Sequence, residues 1–268
     1  MFRGFYTAAS GMLAQQRRTE MLSNNMANAN TPGFKEDQST LRAFPEMLLQ
    51  HMDQQKGLNA RQNQQVGTLN TGVYLQEAIP AFKQGDLKET GLKTDLALID
   101  VMMPENSSVL FAVASPNGQT QYTRNGNFTL DAQGFLTTAS GRFVLDEGGN
   151  PIQLSGEQFV MNENGRITDE SGETFRIGVG LTDNANRLIK LGDGLYQTED
   201  GNALDNAYNA GNVQFKLQQG FLERSNVDVS KTMTDMLTAY RTFEANQKVL
   251  QAYDRSMEKA ANEIGRIG

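Results

Sequence analysis

The chain has 268 residues, 38% of them hydrophobic, a net charge of −7 and no cysteine. That length holds one large domain or two modest ones, and an apolar share below the usual globular level predicts an elongated molecule with much surface. The acidic balance, with no basic run longer than Arg17-Arg18, excludes a phosphate-tracking nucleic-acid groove, and the missing thiols exclude disulfides, thiolate metal sites and a Cys nucleophile.

In residues 1–30, apolar or small side chains recur at Phe5, Ala9, Met12, Leu22, Met26 and Ala29. The spacing is helical, with a weak centre at Gln16 and Thr19 and unfavourable glycines at Gly4 and Gly11. Thr31-Pro32-Gly33 stops the helix, because Pro32 lacks an N–H and pushes Thr31 out of the α region. The start of the chain has no continuous apolar stretch ahead of a cleavage site and does not read as a standard secretory signal; a protein of this kind that leaves the cytoplasm needs another route. The longest clean apolar run, residues 109–114, is far below the ~20 residues of a membrane-spanning helix. Residues 47–72, Gln-rich from His51 to Gln65, read as a flexible polar linker or as a short helix that orders only when packed against neighbours.

From about 73 to 223 the hydrophobic period becomes two. Asn125-Gly126 predicts a tight hairpin between 121–124 and 127–130. Further turns are expected at Ala139-Ser140-Gly141, at 146–150, at Asn164-Gly165 and at Gly192-Asp193-Gly194. Short strands at this turn spacing predict an antiparallel, sandwich- or barrel-like middle. From Asn226 the period returns to that of a helix. Val229, Met233, Met236, Tyr240, Phe243, Leu250, Met257, Ala261 and Ile264 share one heptad lattice, and Leu237, Val249, Tyr253, Ala260 and Ile267 form a second stripe. No Pro or Gly interrupts residues 227–264, so an unbroken helix there would be ~57 Å long, with Asp228 or Ser230 placed to cap it. One small sheet cannot cover so long an apolar face; the N-terminal helix and other molecules are its natural partners. The expected class is α+β. Terminal helices (1–35 with 226–268) pair as one helical segment, 36–72 connects, and 73–225 is β-rich.

Three stretches carry a resemblance. Ala8-Ala9-Ser10-Gly11-Met12 followed by Asn24-Asn25-Met26-Ala27-Asn28-Ala29-Asn30-Thr31-Pro32-Gly33-Phe34-Lys35 resembles the N-terminal motif of the bacterial flagellar rod and hook axial family. Gly220-Phe221-Leu222-Glu223-Arg224-Ser225-Asn226-Val227-Asp228 is similar to its C-terminal motif, as are Arg241 and Phe243-Glu244-Ala245 beyond it. Gln84-Gly85-Asp86-Leu87-Lys88-Glu89-Thr90-Gly91 and Tyr122-Thr123-Arg124-Asn125-Gly126-Asn127-Phe128 are similar to its middle domain. The resemblance covers most of the chain and is nearest to the rod subunits. It implies a structural subunit of the flagellar basal-body rod, exported by the flagellum-specific apparatus without a cleaved signal. Such a subunit assembles helically with copies of itself and related axial proteins, terminal helices inward and β domain outward. It spans no membrane, binds no nucleic acid, and has no cofactor, metal or catalytic residue. One departure stands after Leu96-Ala97-Leu98-Ile99-Asp100. The family continues through a Gly turn into Phe-Phe, whereas this chain reads Val101-Met102-Met103-Pro104-Glu105-Asn106, which predicts an altered hairpin.

The assembly residues expected from these motifs are Asn24, Asn25, Asn28, Asn30, Thr31, Pro32, Gly33, Phe34, Ser225, Asn226, Val227 and Asp228, with Met233, Met236, Tyr240, Phe243 and Leu250 on the long helix. The asparagines can bind neighbouring backbone without burying charge, and the methionines adapt to neighbours in slightly different settings. The plainer readings are turn formers and ordinary core. His51 has no orienting partner at a catalytic spacing and reads as a solvated residue. The Asp/Gly turns lack the ligand alternation of a calcium loop and read as backbone turns. A β-rich cell-wall or carbohydrate-binding module is the alternative function, although the chain has no Trp. A hydrolase would need a carboxylate pair that no spacing picks out.

Overall fold

A computed structural model describes residues 2–51, 64–116, 118–156 and 158–264. Residues 52–63 of the Gln-rich stretch, the His51 side chain and Ile267 lie outside that description. The class is α+β. There are two long helices, α1 (Phe2–Ala27) and α2 (Val229–Ile264), and the residues between them form antiparallel strands, with no closed barrel among those described. The chain forms two compact units. The first comprises Met1–Met26, Asp37–Ala78 and Val229–Gly268; the second comprises Ala27–Glu36 and Ile79–Asp228.

In the first unit α1 and α2 lie antiparallel. The Tyr253 hydroxyl fills the space where Gly4 lacks a Cβ, and a Cβ built on Gly11 would meet the Asn246 amide at 3.0 Å. The contacts advance by seven residues on α1 and retreat by seven on α2, the register of a heptad seam. The buried residues Ala8, Gly11, Leu22 and Asn25 of α1 follow it, with Gly4, Gln15 and Arg18 half-buried between them, and Ala14 is buried beside it. On α2 the seam runs through Thr232, Met236, Ala239, Phe243, Asn246, Leu250, Tyr253 and Met257. The periodicity of large apolar residues therefore finds Met236, Phe243, Leu250 and Met257 on the α2 seam but misses its small members: on α1 small side chains let the backbones approach, and Met233 and Tyr240 of α2 turn outward. The segment 37–78, expected as a connection up to 72, holds two antiparallel strand pairs. These are Leu41–Ala43 with Val73–Leu75 and Met47–His51 with Gln64–Leu69. Ladder bonds belong to the backbone, so a Gln-rich composition does not prevent them. Val73 N–H donates to Ser10 Oγ (3.3 Å) and Thr7 Oγ1 donates to Thr71 O (3.2 Å), which fixes this segment on α1.

The second unit is built on a six-stranded antiparallel sheet. Its order is Leu188–Lys190, Leu195–Thr198, Thr120–Thr123, Ser108–Ala114, Val179–Thr182 and Asp205–Asn206. Ser108–Ala114 is apolar without alternation because both of its faces are covered. Val109, Phe111 and Val113 enter one core with Leu96, Leu98, Phe128 and Leu136, while Leu110 and Ala112 enter another with Tyr122, Leu145 and Tyr196. Gln214–Gln219 pairs with Leu96–Met102, and Phe221–Glu223 with Leu87–Glu89.

The turns expected at 139–141, 146–150, 164–165 and 192–194 all close. Asn125-Gly126 does not make a hairpin: Thr120–Thr123 pairs with the large sheet and Phe128–Leu130 with Leu136–Thr138. Gly126 is instead a close-approach site, its Cα facing the Leu96 carbonyl where no Cβ fits, and its carbonyl accepts from Leu96 N–H at 3.0 Å. The departure at 101–106 likewise joins strands of different sheets. Ser107 N–H and Oγ both donate to Pro104 O there, and Asn106 takes a positive φ of 62°.

Candidate assembly site

The N-terminal and C-terminal motifs meet in the second unit, at the roots of the two helices. Gly33 N–H donates to Glu223 O (2.8 Å), and Asn226 N–H donates to Phe34 O (3.4 Å). Asn226 Oδ1 accepts from Glu36 N–H (2.7 Å), while its Nδ2 donates to Ala81 O (2.8 Å) and Lys83 O (3.1 Å). Gly33 sits at φ +67°, and a Cβ there would come 2.5 Å from the backbone of Arg124. Only glycine provides both the conformation and the clearance.

Beneath these roots lies a buried ion cluster. Lys35 Nζ pairs with Glu223 Oε1 and Arg124 Nε with Glu223 Oε2, both at 2.6 Å, and Arg124 reaches Asp100 at 3.0 Å. The side chains of Lys35, Arg124 and Glu223 are at most 1% exposed. Remaining donors are used: Lys35 to Lys83 O (2.7 Å), Arg124 to Val109 O (2.6 Å) and Leu98 O (3.2 Å), and Gly85 N–H to Glu223 Oε1 (2.8 Å). Burial would raise the Glu223 carboxyl, but Arg124 and then Lys35 outweigh it and hold it below the ordinary range. Burial, followed by repulsion from Arg124, lowers the Lys35 amine against the pull of Glu223. Burial would lower Arg124 too, but Glu223 and Asp100 outweigh it and hold the guanidinium above its ordinary value. Each resembling stretch supplies one ion or one donor. Residues 35, 124 and 223 are so far apart in the chain that no spacing rule could have assembled them; the three motifs quoted above contained them without giving them a role.

The expected assembly residues divide into four groups. Asn25 is fully buried, giving Nδ2 to Asp37 O (2.9 Å) and accepting Asp37 N–H (3.0 Å). With Asn226 and with Asn28, whose Oδ1 accepts from Thr31 Oγ1, it spends its amide within the chain. Gly33, Phe34 and Val227 are buried, and Thr31, Pro32 and Ser225 are half-buried. Met236, Phe243 and Leu250 lie on the α1–α2 seam. Asn24, Asn30, Asp228, Met233 and Tyr240 are exposed. Met233 and Tyr240 continue into an outward stripe with Val229 and Leu237, each of the four roughly half exposed (48–54%), and α1 adds Tyr6 at 65% and Leu13 at 50%.

Three segments match families of known proteins. Residues 5–35 match the flagella basal body rod protein family, residues 108–194 the flagellar hook protein FlgE/F/G D1 domain, and residues 218–263 the flagellar basal body rod FlgEFG protein C-terminal domain. The flagellar hook-basal body complex protein FlhO of Bacillus subtilis is 45% identical over the full length of both chains. The chain belongs to the flagellar basal-body rod protein family. The flagellar basal-body rod protein FlgG of Borreliella burgdorferi is 30% identical over 98% of each chain, and FlgF of Caulobacter vibrioides is 28% identical over 100% of this chain and 99% of its own. As a rod-family member this chain is a structural component of the flagellar basal body, and it assembles with related axial proteins. Nothing found favours a carbohydrate-binding module. The three family segments contribute Lys35, Arg124 and Glu223 respectively, so the ion cluster is the point where they are tied together. Among the described residues no helix is long and apolar enough to cross a membrane, and no group of three or more His, Asp or Glu could hold a metal ion.

Proposed function

We propose that this rod-family subunit docks onto other copies and related axial proteins through the outward stripe Val229, Met233, Leu237 and Tyr240 of α2. The observation that carries this reading is the exposure of four large apolar side chains on a face of α2 that flanks the one already used by α1. Covering each of these half-exposed residues is worth roughly 1 kcal/mol. The total of about 4 kcal/mol is half of what micromolar association needs, so a subunit would hold its place through several neighbours at once. Met236, Phe243 and Leu250 serve the same end by shaping α2 from within. Passage through the flagellar export apparatus belongs to the same reading, as does the absence of catalysis and of nucleic-acid binding; the net charge of −7 supports the last of these.

The test is a charge on the stripe. Cells carrying Met233→Glu with Tyr240→Glu should lose motility and incorporate no subunit into basal bodies, while the purified variant keeps the parent's circular dichroism and thermal midpoint. Normal incorporation of that variant would refute the assignment.

A further inference from the structure

We infer that Met233 is a site of reversible oxidation by peroxides, and that its sulfoxide blocks docking of the α2 stripe without disturbing the fold. The inference rests on the docking role proposed above and adds a chemical control over it. The chain has 12 methionines and no cysteine, so thioether is the sulfur that an oxidant meets. Among the described residues three methionines are exposed, Met47 and Met102 at 59% and Met233 at 53%. Of the three, Met233 alone lies on the stripe, with Val229 four residues before it, Leu237 four after and Tyr240 seven after. Met236 is half-buried on the α1 seam, and Met161 is buried in the core of the second unit.

The step is an oxygen transfer. The Met233 sulfur attacks one oxygen of hydrogen peroxide; an S–O bond forms, the O–O bond breaks, and the departing hydroxide takes the proton of the transferred oxygen and leaves as water. Sulfur is oxidised by two electrons and the peroxide is reduced. In the free subunit the new oxygen projects into water, because Met233 turns away from α1. In a docked subunit it is covered beside Val229 and Leu237, whose side chains have no donor to give, while the Tyr240 hydroxyl is carried on a residue about 10 Å further along the axis. A buried acceptor without a partner is costly, so docking weakens roughly ten- to hundredfold. The penalty falls on the docked state alone and therefore shifts the population towards free subunits. Methionine sulfoxide reductases return the thioether.

The test treats full-length protein with hydrogen peroxide for increasing times. Mass spectrometry reads the fraction oxidised at Met47, Met102 and Met233, and sedimentation velocity at 0.5 M NaCl reads the dissociation constant of self-association. That constant should rise roughly ten- to hundredfold in step with the Met233 sulfoxide, with circular dichroism and thermal midpoint unchanged, and a methionine sulfoxide reductase should return it. Peroxide should act equally on Met47→Leu with Met102→Leu. In Met233→Leu it should leave that variant's association as it was before treatment. Should Met233→Leu fail to associate, the time course decides, because it follows the parent chain. The inference is overturned if oxidised Met233 leaves association unchanged, if the loss follows Met47 or Met102 instead, or if oxidation at Met233 unfolds the protein. So long as Met233→Glu with Tyr240→Glu abolishes association, the docking reading stands in each of those cases. If that glutamate variant associates like the parent, or the parent associates at no salt concentration, the docking reading falls and the inference falls with it.

Discussion

At the scale of single residues, the carboxylate of Glu223 has the largest consequences. It is the shared counter-charge of Lys35 and Arg124, and all three side chains are out of water. Neutralising it strands two buried cations, an error that costs about 3–5 kcal/mol where a buried pair is broken from one side. Glu223→Gln should therefore lower the unfolding free energy of the full chain, read from urea denaturation, by that much. Adding Lys35→Met should recover a large part of it, because the leftover charge is removed with its partner. Asp169 offers a milder and pH-tunable case. Its carboxylate accepts from Ser171 Oγ (2.7 Å), Ser155 Oγ (2.8 Å) and Glu173 N–H (2.9 Å), and these bonds, Ser171 first, lower its pKa to about 2. A depressed carboxyl pKa contributes stability that is complete above the ordinary carboxylate value and lost as pH falls through the folded one. Asp169→Asn should melt below the parent at pH 7, and the gap in Tm should close between about pH 4 and about pH 2. A gap independent of pH would show that the hydrogen bonds stabilise the turn without favouring the ionised form. Glu223 had no role assigned from the sequence, because partners 99 and 188 residues away leave no local pattern.

At the scale of elements, both helices were readable from period and breakers; half of the α2 seam was readable too, in Met236, Phe243, Leu250 and Met257, and the α1 face was not. Large apolar residues dominate a periodicity count, yet the α1 seam runs through Gly4, Ala8 and Gly11, and at the two glycines the absence of a side chain makes the contact. The glycines that weaken helix propensity are the ones that admit α2. Gly4→Leu should accordingly expel the Tyr253 ring. Amide exchange over residues 250–257 should rise by at least tenfold, equivalent to roughly 1.4 kcal/mol of local stability. Combining it with Tyr253→Ala should return much of the protection; no recovery would mean that α1 is displaced for another reason. The strand region shows the converse error. Turn chemistry located the chain reversals at 139–141 and 192–194 correctly, but Asn125-Gly126 also fits a crossover. What decides there is the tight approach to the Leu96 carbonyl, a contact with a residue 30 positions upstream that no local rule can supply.

At the scale of the whole molecule, the net charge of −7 conceals a division. The unit containing the helices carries 12 Lys/Arg and 10 Asp/Glu, a net of +2, whereas the β-rich unit carries 12 and 21, a net of −9. Close packing of helices from several copies therefore meets little repulsion at the helices themselves, and what resists association is the like charge on the β-rich units. The apolar stripe gains from burial at any ionic strength, while repulsion between exposed charges reaches about 30 Å at 0.01 M salt and about 8 Å at 0.15 M. Self-association of the purified protein should thus strengthen as salt is raised, and sedimentation velocity at 0.01, 0.15 and 0.5 M NaCl should show the weight-average mass increasing in that order. Met233→Glu with Tyr240→Glu should flatten the trend, since screening then exposes no attraction. If association weakened with salt, the subunits would be held by complementary charge, and the stripe of Val229, Met233, Leu237 and Tyr240 would not be what joins them.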